Sequence, residues 1–241
     1  MKLKVTALRL LTCALTVASV VATGPANMAS AATITEGSLS GVWVPERYSP
    51  YLRRADGSVP PLLPAAAAVY EQRTMQFKKG DRSFDLAHPC LNLGQPRMNT
   101  IPYPIQIIDL PDQVVMLYEW NGFRRIDMSG KPPMVDYPVL NGGSAGRRLG
   151  DTLEITTVGL LGTSLLDTAG MPHSEQLKIT ERIRRIAKDR LENRITIDDP
   201  MTFSEPWETV VTWKRLARRE LREDVCVDRI SAGKPALETG P

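Results

Sequence analysis

Leu177, Ile179, Glu181 and Ile183 fall on one face of an extended chain, and Lys178, Thr180, Arg182 and Arg184 fall on the other. That period of two is the signature of a β-strand with one dry and one wet face. The exception on the dry face is a carboxylate. An ionised group among isoleucines must be paired, hydrated or protonated, because burying a lone charge is costly. Arg97, Arg124 and Arg125 are candidate partners. Glu181 is thus either half of an internal Glu–Arg pair or an acid–base group, and it is a candidate catalytic residue.

Similar runs occupy residues 38–44, 105–109, 114–120, 123–128, 152–158, 176–186, 190–197 and 207–216. Asn121-Gly122 is a tight-hairpin signal between two of them. About eight strands joined mostly by hairpins, without alternating helices, predict a mainly β fold. The expected architecture is an antiparallel eight-stranded, lipocalin-like barrel, wide enough to hold one small ligand. A β-sandwich is the runner-up. Residues 61–77, with Pro64 near the start and alanines at 65–68, predict one helix outside the barrel. Residues 131–150 read as a long loop containing Gly142-Gly143-Ser144-Ala145-Gly146. This is a G-x-S-x-G run without the strand–turn–helix context of a nucleophile elbow.

Lys2, Lys4 and Arg9 precede a mostly apolar stretch at 10–22, and Ala29-Ser30-Ala31 follows. This pattern predicts a signal peptide over 1–31, cleaved after Ala31, and a periplasmic or secreted protein. The apolar stretch is shorter than the ~20 residues a membrane span needs, and no later segment is apolar enough to span. The leader's three basic residues account for the whole formal charge of +3, leaving 27 Lys and Arg against 27 Asp and Glu. A neutral mature chain lacks the basic surface of a nucleic-acid partner. Its length suits a single barrel domain over 32–228 with a flexible tail at 229–241. Of three cysteines, Cys90 and Cys226 lie beyond the leader. In an oxidising compartment they predict one disulfide, with two buried thiols as the alternative. There is no C-x-x-C or H-x-x-x-H spacing and no nucleotide fingerprint, so neither metal nor cofactor is expected.

Several segments together resemble an uncharacterised family of exported bacterial proteins. They run from Cys90 through Pro96-Arg97, Pro102-Tyr103-Pro104 and Arg124-Arg125-Ile126 to Gly150-Asp151-Thr152-Leu153 and Gly170-Met171-Pro172-His173-Ser174. Glu181-Arg182, Asp198-Asp199-Pro200 through Pro206-Trp207, and Val225-Cys226 complete the likeness. Gly41-Val42-Trp43 is similar to the G-x-W that opens lipocalin barrels. The resemblance implies export and a barrel-like fold, and carries no activity. The family's G-H-S-x-G-x-W-E-G-D-T-L is altered here: Gly143, Arg148 and Leu149 replace its His, Trp and Glu.

The candidate site residues follow from their chemistry. His173, one of two histidines, follows Gly170-Met171-Pro172 and is either a base near neutral pH or a loop residue fixing carbonyls. Arg97 can hold a carboxylate or phenolate by its fork of donors. Tyr118 shares a strand face with Val114, Met116 and Trp120 and, with Arg97, Arg125 and His173, is a candidate ligand contact. The expected function is binding of a hydrophobic or aromatic small molecule in the barrel mouth. The alternative is a cofactor-free lyase, isomerase or dehydratase with His173 as base, Glu181 as its orienter or the acid, and Arg97 steadying an oxyanion. Oligomeric state is not legible in the chain.

Overall fold

The strand pattern closes on itself. The computed structural model describes residues 38–85, 90–217, 221–222 and 226–234, so the leader expected at 1–31 lies outside the described residues. Nine strands form one ring in chain order: β1 (Gly41–Pro45), β2 (Ile105–Asp109), β3 (Gln113–Tyr118), β4 (Phe123–Asp127), β5 (Gly143–Leu149), β6 (Thr152–Val158), β7 (Lys178–Ala187), β8 (Arg190–Asp198) and β9 (Trp207–Arg215). β9 pairs with β1 to shut the barrel. All neighbours are antiparallel except β4 and β5, which run parallel through Ile126–Ser144 and Asp127–Ala145. An odd number of strands cannot alternate direction all the way round a ring, so one parallel pair is required.

The expected eight-stranded antiparallel barrel is therefore corrected to nine strands of mixed direction. The additional strand is β5, inside the stretch read as loop. Its glycines are there because other chain segments come close. A Cβ on Gly143 would lie 2.5 Å from the Met134 carbonyl oxygen, and one on Gly146 would lie 2.7 Å from Met128 Sδ. Glycine inside a strand commonly marks such an approach. The long 128–142 connection supplies the crossover that a parallel pair needs.

Around β7 the alternation holds as read. Ile179, Glu181 and Ile183 are fully buried, while Lys178, Arg182 and Arg184 are exposed. The interior packs in two apolar clusters. One gathers Trp43, Ile105, Met116, Ile183, Leu191 and Trp213. The other gathers Leu160, Met171, Ile179, Ile195, Ile197 and Trp207. Along β7 the two are separated by Glu181, and along β8 by Asn193 between Leu191 and Ile195. A polar layer thus divides the core. At one barrel end, Asp109 of β2 pairs with Arg148 of β5 across the opening and accepts the Leu39 backbone N–H at 2.9 Å.

The helix α1 (Pro64–Lys78) begins later than residue 61. Residues 62 and 63 are held extended by a bridge from Leu62 to Phe203 and a bond from Leu63 N to Thr202 O. The residue before a proline also disfavours helix, and Leu63 has ψ 154° ahead of Pro64. The helix is fastened through Tyr70, whose hydroxyl donates to Asp167 at 2.7 Å, and Arg73, which donates to the Gly170 carbonyl at 3.2 Å.

Cys90 and Cys226 form the expected disulfide, closing a separation of 136 residues. On the chain-entropy model such a bridge stabilises the fold by about 5 kcal/mol. It anchors a short helix, α2 (Cys226–Ser231), whose Ile230 packs against the first cluster. Residues 229–231, the start of the expected tail, belong to this helix, and residues 235–241 lie outside the described residues. Among the described residues no helix is long and apolar enough to cross a membrane.

Candidate functional site: a polar layer and a side cleft

The polar layer is built from strands on opposite sides of the barrel. Glu181 Oε2 lies 2.5 Å from Arg124 Nη2, with both side chains within 1% of complete burial. Its other oxygen accepts from Asn99 Nδ2 at 2.7 Å and Asn193 Nδ2 at 2.9 Å. Arg124 also donates through Nε to Ser144 Oγ at 2.9 Å and through Nη2 to Thr157 Oγ1 at 2.6 Å. Burial works against the Arg124 charge, but Glu181 and Tyr118 beside it together outweigh burial and hold its pKa above the ordinary guanidinium value. Tyr118 extends the network by donating to Asn99 Oδ1 at 3.1 Å and accepting from Gln95 Nε2 at 2.9 Å. Burial, against the pull of Arg124, pushes its phenol up to about 12, so it stays a donor. Asn99 belongs to a short 3-10 turn, Arg97–Asn99, that enters the barrel and is fixed by Trp213 Nε1 on the Asn99 carbonyl at 3.0 Å.

Of the three arginines weighed as partners for Glu181, the structure selects Arg124. Arg97 is buried elsewhere, with Nη2 2.7 Å from Asp85 Oδ2. Arg125 is exposed on the outer side of β4, as alternation with buried Arg124 and Ile126 requires. His173 is buried and serves its own loop: Nδ1–H donates to the Ser174 carbonyl at 2.8 Å, and Ser164 Oγ lies 2.7 Å from Nε2. Burial lowers the imidazole pKa, which favours the neutral ring with Nδ1 as its donor; the one Ser164 hydroxyl proton lies between Nε2 and the Leu161 carbonyl, 3.0 Å away. His173, Glu181 and Arg97 share no hydrogen-bond partner among the described residues. Ser144 lies in β5 with its hydroxyl between Arg124 and Thr157, in the role of an acceptor for a buried cation.

Four buried atoms of the layer have no hydrogen-bond partner among the described residues: Arg124 Nη1, Gln95 Oε1, Asn193 Oδ1 and Glu181 Oε2, the last of which meets Arg124 Nη2 as an ion pair. Sequence reasoning missed Asn99, Gln95 and Asn193. Asn193 had a signal, since it interrupts Leu191, Ile195 and Ile197 on one strand face. Asn99 and Gln95 sit in an irregular segment where no periodicity applies.

The barrel wall opens beside this layer. β1 pairs with β9 only at its C-terminal end, through Trp213 to Arg215. Beyond that, residues 46–55 run alongside β9 and touch its backbone at two points, Glu46 N to Thr212 O and Ala55 N to Glu208 O. Between them a cleft of about 490 Å³ leads inward past Tyr51, Leu52, Thr100 and Val211. Val211 points into the barrel, packs against both apolar clusters and is still half-buried. It stands opposite Asn193 in the β8–β9 register, and Thr100 follows Asn99 in the chain. Two residues lining the cleft are therefore immediate neighbours of the two asparagines that hold Glu181.

Fold and site define a closed, mixed nine-stranded β-barrel with an internal ion pair and a cleft in its wall between residues 46–55 and β9. Comparisons with protein-family models, with curated proteins and with solved structures return no match.

Proposed function

We propose that this is an exported small-molecule-binding barrel whose hydrophobic or aromatic ligand enters through the side cleft rather than a barrel mouth. The observation that carries the reading is the half-buried Val211, an inward-facing core residue at the floor of a cleft of about 490 Å³. That volume falls within the range of small-molecule sites, typically about 300–1,000 Å³, where apolar walls supply affinity and a few polar groups fix orientation. Tyr51 and Leu52 supply apolar wall, and Thr100 and Thr209 supply hydroxyls. The leader-like N-terminus and the Cys90–Cys226 bridge support export, since disulfides persist in oxidising compartments. Membership of the exported bacterial family read from the motif residues is part of the same proposal.

The acid–base alternative has less support, because each of its three residues is held by a different partner. His173 is tied to Ser164 and Ser174, Arg97 to Asp85, and Glu181 to Arg124. The test of the binding reading is fluorescence titration of the oxidised protein with the neutral aromatic probe phenylnaphthylamine. One saturable site per chain is expected. A signal that never saturates, with no bound species by native mass spectrometry, would sink it.

A further inference from the structure

The cleft is not electrically neutral, although the mature chain is. Four charged residues line it: Glu46, Arg47, Arg53 and Arg54. Glu46 is already paired with Arg190 at 3.0 Å, and Arg54 with Glu205 at 2.8 Å. Arg47 and Arg53 have no carboxylate partner among the described residues. Arg53 is half-buried, with its guanidinium carbon 5.5 Å from the centre of the Tyr51 ring. Two uncompensated cations therefore stand over an aromatic and aliphatic wall. A partly buried guanidinium is screened less than one in open solvent and offers a forked donor set to an acidic group.

The backbone at the cleft limits the size of what can enter. The carbonyls of Glu208 and Thr212 both point toward the 46–55 segment, so the N–H and C=O of Val210, midway between them, point the same way. No backbone bond from residues 46–55 reaches Val210 among the described residues. A free edge one residue long does not template an extended peptide, whose recognition uses a run of main-chain bonds. It suits one polar group on a small molecule.

Resting on the binding reading above, we infer that the ligand is an aromatic or aliphatic acid with a single carboxylate or sulfonate. Its apolar end lies against Val211 and Leu52, and its acidic end lies between Arg47 and Arg53. Two probes that share one aromatic body and differ in charge distinguish recognition of the acid from occupancy of the cleft. Anilinonaphthalene sulfonate is the acid and phenylnaphthylamine the neutral counterpart. Each is titrated into the full oxidised protein, into Arg47→Gln, and into Arg47→Gln/Arg53→Gln, with thermal unfolding as the check on folding. The sulfonate should bind wild type more tightly than the neutral probe, and raising salt should weaken only the sulfonate. The double variant should lose ~10-fold or more for the sulfonate, the scale of a charge-assisted contact, and remain within about twofold for the neutral probe. Because Arg47 is exposed and has no carboxylate partner among the described residues, its single substitution should leave the fold intact and already show part of the loss. Equal, salt-insensitive binding of both probes by all three proteins would overturn the acid assignment while leaving the cleft as a binding site. Saturable binding of neither probe would overturn the cleft reading and this inference with it.

Discussion

Arg124 Nη2 lies 2.5 Å from Glu181 Oε2 across the interior of the barrel, joining β4 to β7, two strands that are not neighbours in the ring. Buried ion pairs of this kind often add little net stability over an apolar replacement, but removing one member strands the other charge. Arg124→Met should therefore cost about 3–5 kcal/mol in urea unfolding. The double variant Arg124→Met/Glu181→Leu should lose less than the sum of the single changes, with a coupling of about 2–3 kcal/mol. Additive losses would mean that the two side chains do not depend on each other.

The strand hidden in the glycine run gives a second expectation. At Gly143 an added Cβ meets a backbone carbonyl at 2.5 Å, whereas at Gly146 the closest atom is the end of the flexible Met128 side chain at 2.7 Å. Backbone cannot yield as a thioether can. Gly143→Ala should cost about 1–3 kcal/mol, the usual scale of overpacking, and Gly146→Ala clearly less. Equal, negligible effects would place Gly143 in open loop after all.

How much could be read in advance follows from this contrast. β7 and β8 were legible because their alternation is long and unbroken, and Glu181 stood out as the one charge on an apolar face. β5 was not legible, since glycines selected for close approach look the same in sequence as glycines selected for a turn. Alternation also placed Arg124 and Arg125 on opposite sides of β4, but which side faces inward depends on register with β3, through Met116–Arg124. Asn99 reaches Glu181 over 82 positions of chain by way of an irregular turn, and no local pattern reports that contact. His173 was legible as a loop residue, but its partner Ser164 is defined only by the folded loop.

His173 makes the fold sensitive to mild acid. Burial sets its pKa below the ordinary imidazole value of about 6.5, so the unfolded chain binds a proton before the folded protein does. The contribution of the neutral ring is complete above about pH 6.5 and is lost as pH falls below it. Urea unfolding at about pH 7 and about pH 5.5 should show a fall in stability for wild type and a smaller fall for His173→Asn. Identical falls in both would assign the acid sensitivity to other groups.

On the proposed reading a ligand sits in the wall cleft against Val211. Val211→Trp fills that cleft from the inside, while Tyr51→Ala removes apolar wall from the outside. The direct measurement is the phenylnaphthylamine titration of wild type and both variants, each shown to be folded by circular dichroism and thermal unfolding. Expected are one saturable site in wild type, loss of that site in Val211→Trp, and weakening of about 10-fold or more in Tyr51→Ala, the scale of a lost aromatic contact. Undiminished, saturable binding by both folded variants would contradict that reading.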